Sequence, residues 1–232
     1  MKRSAMASKA TSPRRSAQRL SAADRRRTIL EAALALFAKR GYEGASVDDI
    51  AAEAGITVAV IYSHFTSKEE LHATVLEEQW QSLLAYQGPR VLEKPAGQQR
   101  IREAYASFFE WCQANPLAWR LVFREVGGPP AVVAAHERVL ALLTQGIVGL
   151  LASEDPADPR LAAEPGIVIV AEWIKGGMNA VARWWYDHPE VDRDKVVQLL
   201  LDMTWEGLKP LGVEGKKRPA RARGGAARSA KR

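Results

Sequence analysis

The chain has 232 residues, 47% of them hydrophobic, a single cysteine (Cys112) and a net charge of +6. That length holds one large domain or two modest ones, and a lone cysteine excludes an intramolecular disulfide or a cysteine-based metal cluster. No run approaches the ~20 uninterrupted apolar residues of a membrane span, and no apolar stretch of signal-peptide kind follows the basic N-terminus, so a cytoplasmic protein with no membrane partner is expected.

Charge is unevenly spread. Residues 1–27 carry +8 and residues 216–232 carry +8, while residues 28–215 carry −10. Two basic tails therefore flank an acidic body, an arrangement that a polyanion favours; tails that only keep the protein soluble are the alternative. Residues 1–20 and 213–232 hold few large apolar side chains and are expected to be disordered arms.

Between the arms the periodicity is helical. Ser21 with Asp24 reads as a capping box opening a first helix, which Gly41 ends as a left-handed residue. Ser46 with Asp49 opens a short helix to Glu53 or Ala54, Thr57 opens another to about His64, and Ser67 with Glu70 opens a long one towards Tyr86. Gly88-Pro89 is expected to end that helix. Further helices are predicted at about 98–114, 117–125, 131–152, 162–187 and 192–209, separated by Asn115-Pro116, the 127–130 Gly/Pro run, Pro156/Pro159 and His188-Pro189. The run 167–170 (Ile-Val-Ile-Val) has strand propensity, but a lone strand lacks a partner, so a helix is expected. The fold class is thus all-α with about nine helices.

The segment from Val47 to Tyr62 carries the strongest signal. Two short helices crossing at a wide angle need facing apolar residues (Ile50, Ala54, Ile56, Ile61), a small residue where they touch (Ala51) and a positive-φ residue in the turn (Gly55). This is a helix-turn-helix. Residues 24–72 resemble the DNA-binding domain of the tetracycline-repressor (TetR) family, through residues 29–33 (Ile-Leu-Glu-Ala-Ala), Phe37, Arg40-Gly41-Tyr42, the helix-turn-helix, residues 61–65 (Ile-Tyr-Ser-His-Phe) and residues 67–71 (Ser-Lys-Glu-Glu-Leu).

The resemblance implies an N-terminal three-helix DNA-binding domain at 21–72 and a helical effector-binding and dimerisation domain at 73–212. It implies phosphate contacts at Ser46, Val47, His64 and Lys68, and a major-groove face at Val58, Ala59, Tyr62 and Ser63. Thr57 adds a hydroxyl at a helix N-terminus, where free N–H groups suit a phosphate. The sequence departs from the family in polarity, since Val58 and Val60 stand where polar residues are common. Valine contacts only a thymine methyl, so base readout is expected to be sparse. Arg25, Arg26 and Arg27 oppose the macrodipole of the first helix, which points to a phosphate partner, above all for Arg26. Arg14 and Arg15 are placed to reach a minor groove.

In the last helix, polar residues keep to one narrow stripe and apolar ones cover the rest, so it is buried on more than one side. The resemblance implies a homodimer through this helix and the 162–187 helix, with Val181, Trp184, Val196, Leu200, Met203 and Leu208 at the contact. Gly176-Gly177 within the 162–187 helix implies either close helix approach or a kink beside a cavity. Most aromatic residues lie beyond residue 100. Core packing explains any one of them, while a ligand cavity fits several together; its expected wall is Phe108, Trp111, Trp119, Phe123, Trp173 and Asn179. The effector expected there is a largely apolar small molecule of unknown identity.

No catalytic group, metal site or cofactor is expected. The four histidines are scattered, and neither a phosphate-binding glycine loop nor a nucleophile elbow is present. The expected function is a ligand-responsive regulator, a repressor released from palindromic double-stranded DNA by its effector. A non-specific architectural DNA-binding protein using its basic tails is the alternative.

Overall fold

The computed structural model describes residues 21–123, 127–154 and 165–208, and every regular element among them is an α-helix. The nine are α1 (Ala22–Arg40), α2 (Val47–Glu53), α3 (Val58–Tyr62), α4 (Lys68–Leu92), α5 (Gln98–Ala114), α6 (Pro116–Phe123), α7 (Pro130–Glu154), α8 (Gly166–Tyr186) and α9 (Arg193–Leu208). The expected all-α class holds, and residues 167–170 form the first turns of α8. Both tails, with Arg14 and Arg15, lie outside the described residues.

Local chemistry sets most boundaries. Asp24 N–H donates to Ser21 Oγ at 3.0 Å. Ser46 and Asp49 exchange both bonds of a capping box. At α4, Glu70 N–H donates to Ser67 Oγ at 3.1 Å, but the Glu70 carboxylate accepts from Thr66 N–H at 2.6 Å, one residue further back than a box requires. Gly41 has a positive φ of 75°, yet its ψ of 177° is extended, so α1 does not end in the left-handed geometry expected. Pro116 and Pro130 open α6 and α7 at the first helical position, where a missing N–H costs nothing.

Gly88-Pro89 does not end α4; the helix runs through both to Leu92. Proline there removes one backbone bond near the helix end, and contacts from α5 hold the last turn in place. Arg90 pairs with Glu103 at 3.1 Å and Glu110 at 3.0 Å, Gln87 Nε2 donates to the Ala104 carbonyl at 2.6 Å, and Val91 is buried.

The helices share one connected core that includes Ile29, Phe37, Ile50 and Ile61 at one end and Phe109, Trp111 and Leu201 at the other. α4 packs on α1, α5, α6 and α7, so it touches both ends. α7 is apolar and long enough to pass for a membrane span by composition. It carries exposed Glu137 and Arg138 and buries Val132, Val139 and Leu143, as a helix packed on α4 and α8 does.

The segment leading into α7 meets the N-terminal helices at one point. Gly128 has φ +140°, and a Cβ added there would lie 3.0 Å from Cδ1 of Tyr42. Gly127 has open space around it. Gly128→Ala should therefore cost about 1–3 kcal/mol in backbone strain and crowding, lowering the melting temperature by roughly 2–10 °C at this chain length. Gly127→Ala should leave it unchanged. Equal melting temperatures for the two variants would remove the Gly128–Tyr42 contact from this account.

Candidate DNA-binding surface and ligand cavity

The N-terminal helices leave several of the residues expected to face DNA exposed. Ile50, Ala51 and Ile61 are buried, fixing α3 against α2 across the turn at Gly55, whose φ of 66° suits glycine. This leaves Ala59, Tyr62 and Ser63 exposed and Val58 half-buried. Tyr62 keeps 52% of its surface open although its neighbours Ile61 and Phe65 are enclosed, so it is free to meet a groove. Ser63 Oγ donates back to the Val60 carbonyl at 2.7 Å, which leaves the hydroxyl oxygen as the outward acceptor. Thr57 is exposed and makes no cap bond.

Ser46 is exposed beside half-buried Val47 at the start of α2. Asp49 is also paired with Arg40 at 3.3 Å, and the Ser46 hydrogen bonds hold its carboxyl below the usual range. Lys68 opens α4 with its Nζ 4.0 Å from the centroid of the Tyr42 ring, a cation–π contact. His64 is half-buried beside Phe65. Arg26 does not extend freely. It pairs with Glu78 of α4 at 2.9 Å and lies over the Phe65 ring, so it ties α1 to α4.

A cavity of about 360 Å³ opens in the C-terminal half. α4 contributes Trp80, Leu83 and Val91, α5 Phe108, α7 Leu143 and Ile147, and α8 Ile174 and Met178. Its wall is mainly aliphatic, and several of its polar groups are matched by protein partners. Lys175 Nζ donates to Thr144 Oγ1 and Glu172 Oε1, both at 2.8 Å, and Tyr105 bonds Thr204 at 2.7 Å.

Of the wall residues expected from sequence, Phe108 and Phe123 line this cavity. Trp119 and Asn179 sit instead at a neighbouring hollow between α6 and α8, and Phe123 borders both spaces. Trp111 is packed in the core with its Nε1 donating to Ser82 Oγ at 3.3 Å, and Trp173 is 56% exposed on the outer face of α8. The α4 and α7 contributions are mostly aliphatic and carry no aromatic excess in the sequence. Gly146 and Gly149, one turn apart on α7, were the available signal: both border the cavity and have open space where a side chain would stand.

Among the dimer residues expected, Trp184 and Met203 are exposed at 49% and 63%. Val181 and Leu200 are half-buried, while Val196 is packed inside its own chain. The side chain of Leu208 lies outside the described residues. Gly176 and Gly177 border neither space and lie in the open.

Comparison with known proteins agrees with this geometry. Residues 29–75 match the family described as bacterial regulatory proteins, tetR family. The HTH-type transcriptional activator FasR of Mycolicibacterium smegmatis is 29% identical over 196 residues, 84% of this chain and 87% of FasR. A TetR-like transcriptional regulator from Rhodococcus sp. RHA1 is 25% identical, with a TM-score of 0.67 over 82% of this chain and 99% of that one. FadR from Bacillus subtilis, solved in complex with stearoyl-CoA, is 16% identical and shares the fold, with a TM-score of 0.66 over 78% of this chain and 98% of its own.

The exposed Tyr62 ring and the Lys68 ammonium should carry separable parts of DNA binding. Tyr62→Ala should reorder affinities among related duplexes. Lys68→Ala should weaken specific and random DNA alike and make the logarithmic salt dependence shallower by about two units for a symmetric dimer. A salt titration on operator, a one-base variant and random duplex reads both, and an unchanged slope for Lys68→Ala would remove its phosphate contact.

Proposed function

This chain belongs to the tetR family of bacterial regulatory proteins, and we propose that it acts as a homodimer whose grip on a palindromic operator is loosened by an acyl-chain effector. It is a DNA-binding transcriptional regulator and not an enzyme, and its place of action is the bacterial cytoplasm, where the DNA is. Residues 21–72 act as the reading unit, with Tyr62 and the short side chains of α3 in the major groove and Ser46, Thr57, His64 and Lys68 at phosphates. Residues 73–212 sense and dimerise.

The observation that carries this reading is the aliphatic cavity of about 360 Å³. It lies within the ~300–1,000 Å³ range of small-molecule sites, and its matched polar groups suit a hydrocarbon better than a polar molecule. The stearoyl-CoA bound by the structural relative FadR is consistent with that chemistry. Coupling has a short physical route. α4 carries Lys68 in its first turn and cavity residues Trp80, Leu83 and Val91 further on. At 25 residues it is a continuous rod of about 37 Å, so a ligand that shifts its far part also shifts its root. Whether loosening represses or activates depends on where the operator lies relative to the promoter; the relative FasR is named an activator.

Support for the dimer comes from one stripe. Ile169, Trp173 and Trp184 are exposed on α8, and with Gly176, Gly177 and Ala180 they fall within an arc of about 100° at 3.6 residues per turn. Leu199 and Met203 are exposed, one turn apart, on α9. Glycines in such a stripe allow close helix approach.

Two measurements test these points. Fatty acyl ligands of increasing length should bind about four-fold tighter per added methylene until the cavity is full, from ~0.8 kcal/mol per buried methylene. They should reduce operator affinity by roughly 5–150-fold. Indifference to chain length, or saturation with operator affinity unchanged, would sink the effector reading. Met203→Glu should leave the monomer folded, because Met203 is 63% exposed within its own chain, yet shift sedimentation at micromolar concentration from dimer to monomer. An unaltered dimer would place the interface elsewhere.

A further inference from the structure

The hollow between α6 and α8, of about 600 Å³, differs chemically from the aliphatic cavity beside it. Trp119, Arg120 and Phe123 come from α6, and Asn179 and Arg183 from α8, with Asp187 just beyond. Trp119 is only 6% exposed, and its ring stacks on that of Tyr186 at 5.7 Å. Its Nε1 has no acceptor among the described residues, and Asn179 Oδ1 has no donor. The Asn179 amide cannot simply be turned round. Its Nδ2 donates to the Phe123 carbonyl at 3.4 Å, and a carbonyl only accepts, so the oxygen is the end left over. An orphaned N–H and an orphaned C=O thus belong to two residues that line the same hollow, and buried polar groups rarely stay without a partner. A secondary amide carries the acceptor that the indole lacks and the donor that the asparagine lacks. Two guanidinium groups against one carboxylate leave the hollow with a positive balance.

In the aliphatic cavity most polar side chains among the described residues are already engaged. Lys175 is committed to Thr144 and Glu172, Tyr105 to Thr204, and Gln87 to the Ala104 carbonyl. The Phe123 ring borders both spaces, apolar on one side and polar on the other. We propose that the effector spans Phe123, its hydrocarbon tail in the aliphatic cavity and an amide-bearing, anionic head in the α6–α8 hollow. Trp119 and Asn179 grip the amide, and Arg120 with Arg183 faces the negative charge. This rests on the acyl reading above and adds the head group as the specificity determinant.

The test compares palmitate, which has no amide, with palmitoyl-CoA, which has amides and phosphates, on the full chain and on Asn179→Leu and Trp119→Phe. Each variant should lose about ten-fold in affinity for palmitoyl-CoA, the worth of one hydrogen bond to a buried group, and keep palmitate affinity within about two-fold, an ordinary near-neutral change. Unchanged palmitate binding also shows that the variant is folded. Equal loss for both ligands in both variants would mean general damage to the site and would overturn the assignment. No loss for palmitoyl-CoA would mean that water satisfies the two groups, and would overturn it while leaving the acyl reading intact. If neither ligand bound the unaltered protein, the acyl reading and this inference would fall together.

Discussion

Three rings and one ammonium meet where the N-terminal helices join the rest of the chain. Phe37 of α1 stacks on Tyr42 with centroids 6.1 Å apart, and His72 of α4 meets both edge-on, at 4.9 and 5.5 Å. Lys68 covers the Tyr42 ring from α4, and Gly128 approaches the same ring from the segment before α7. Burial first, then the charges of His136 and Lys68, pushes the His72 imidazole down to about 4, so it sits in this cluster uncharged. Burial and the Glu69 carboxylate keep the Tyr42 phenol protonated. Tyr42 is thus touched from α1, from α4 and from the segment before α7 at once.

At its other end α4 runs through its own breaker. On local chemistry Gly88-Pro89 should stop the helix, and one bond is lost there. The Arg90 ion pairs and buried Val91 hold the final turn, because tertiary packing commonly outweighs propensity. The outcome is a single rod that belongs to the DNA-facing surface at one end and to a cavity wall at the other. A helix broken at residue 88 would still carry Trp80 and Leu83, but Val91 would no longer be fixed relative to Lys68.

How much was legible in the sequence follows from what each feature depends on. Caps and turns are local, so Ser21, Ser46 and Gly55 could be read directly, and the helix-turn-helix needed only the spacing of Ile50, Ala51 and Ile61. The exposure of Tyr62 followed from its neighbours occupying the buried face. The cavity was only half legible. An aromatic excess locates a domain that has a core, but a void is made by what is absent, and Gly146 with Gly149 marked it better than Trp111 or Trp173 did. Arg26 illustrates a different limit. A basic residue in a first turn looks unpaired until Glu78, 52 residues on, is seen beside it. Val196 and Trp184 are both apolar in near-uniformly apolar helices, and nothing local distinguishes the one packed inward from the one facing out.

On the proposed function, the short, apolar α3 would give the cavity its leverage. The side chains of Val58, Ala59 and Val60 offer no donor or acceptor to a base edge, so discrimination would fall to thymine methyls, to Tyr62 and Ser63 and to the shape of the duplex. Phosphate contacts would then carry most of the affinity, and these would depend on geometry across the whole dimer rather than on any single base pair. A regulator that read many bases directly could tolerate a small change in the separation of its two recognition helices by keeping one half-site well bonded. On the proposed function each half-site would hold few bonds of its own, and the two would have to fit together. A modest displacement at the root of α4 would then cost a large fraction of the specific binding, and the differential affinity of an effector for two cavity shapes would be sufficient to release it.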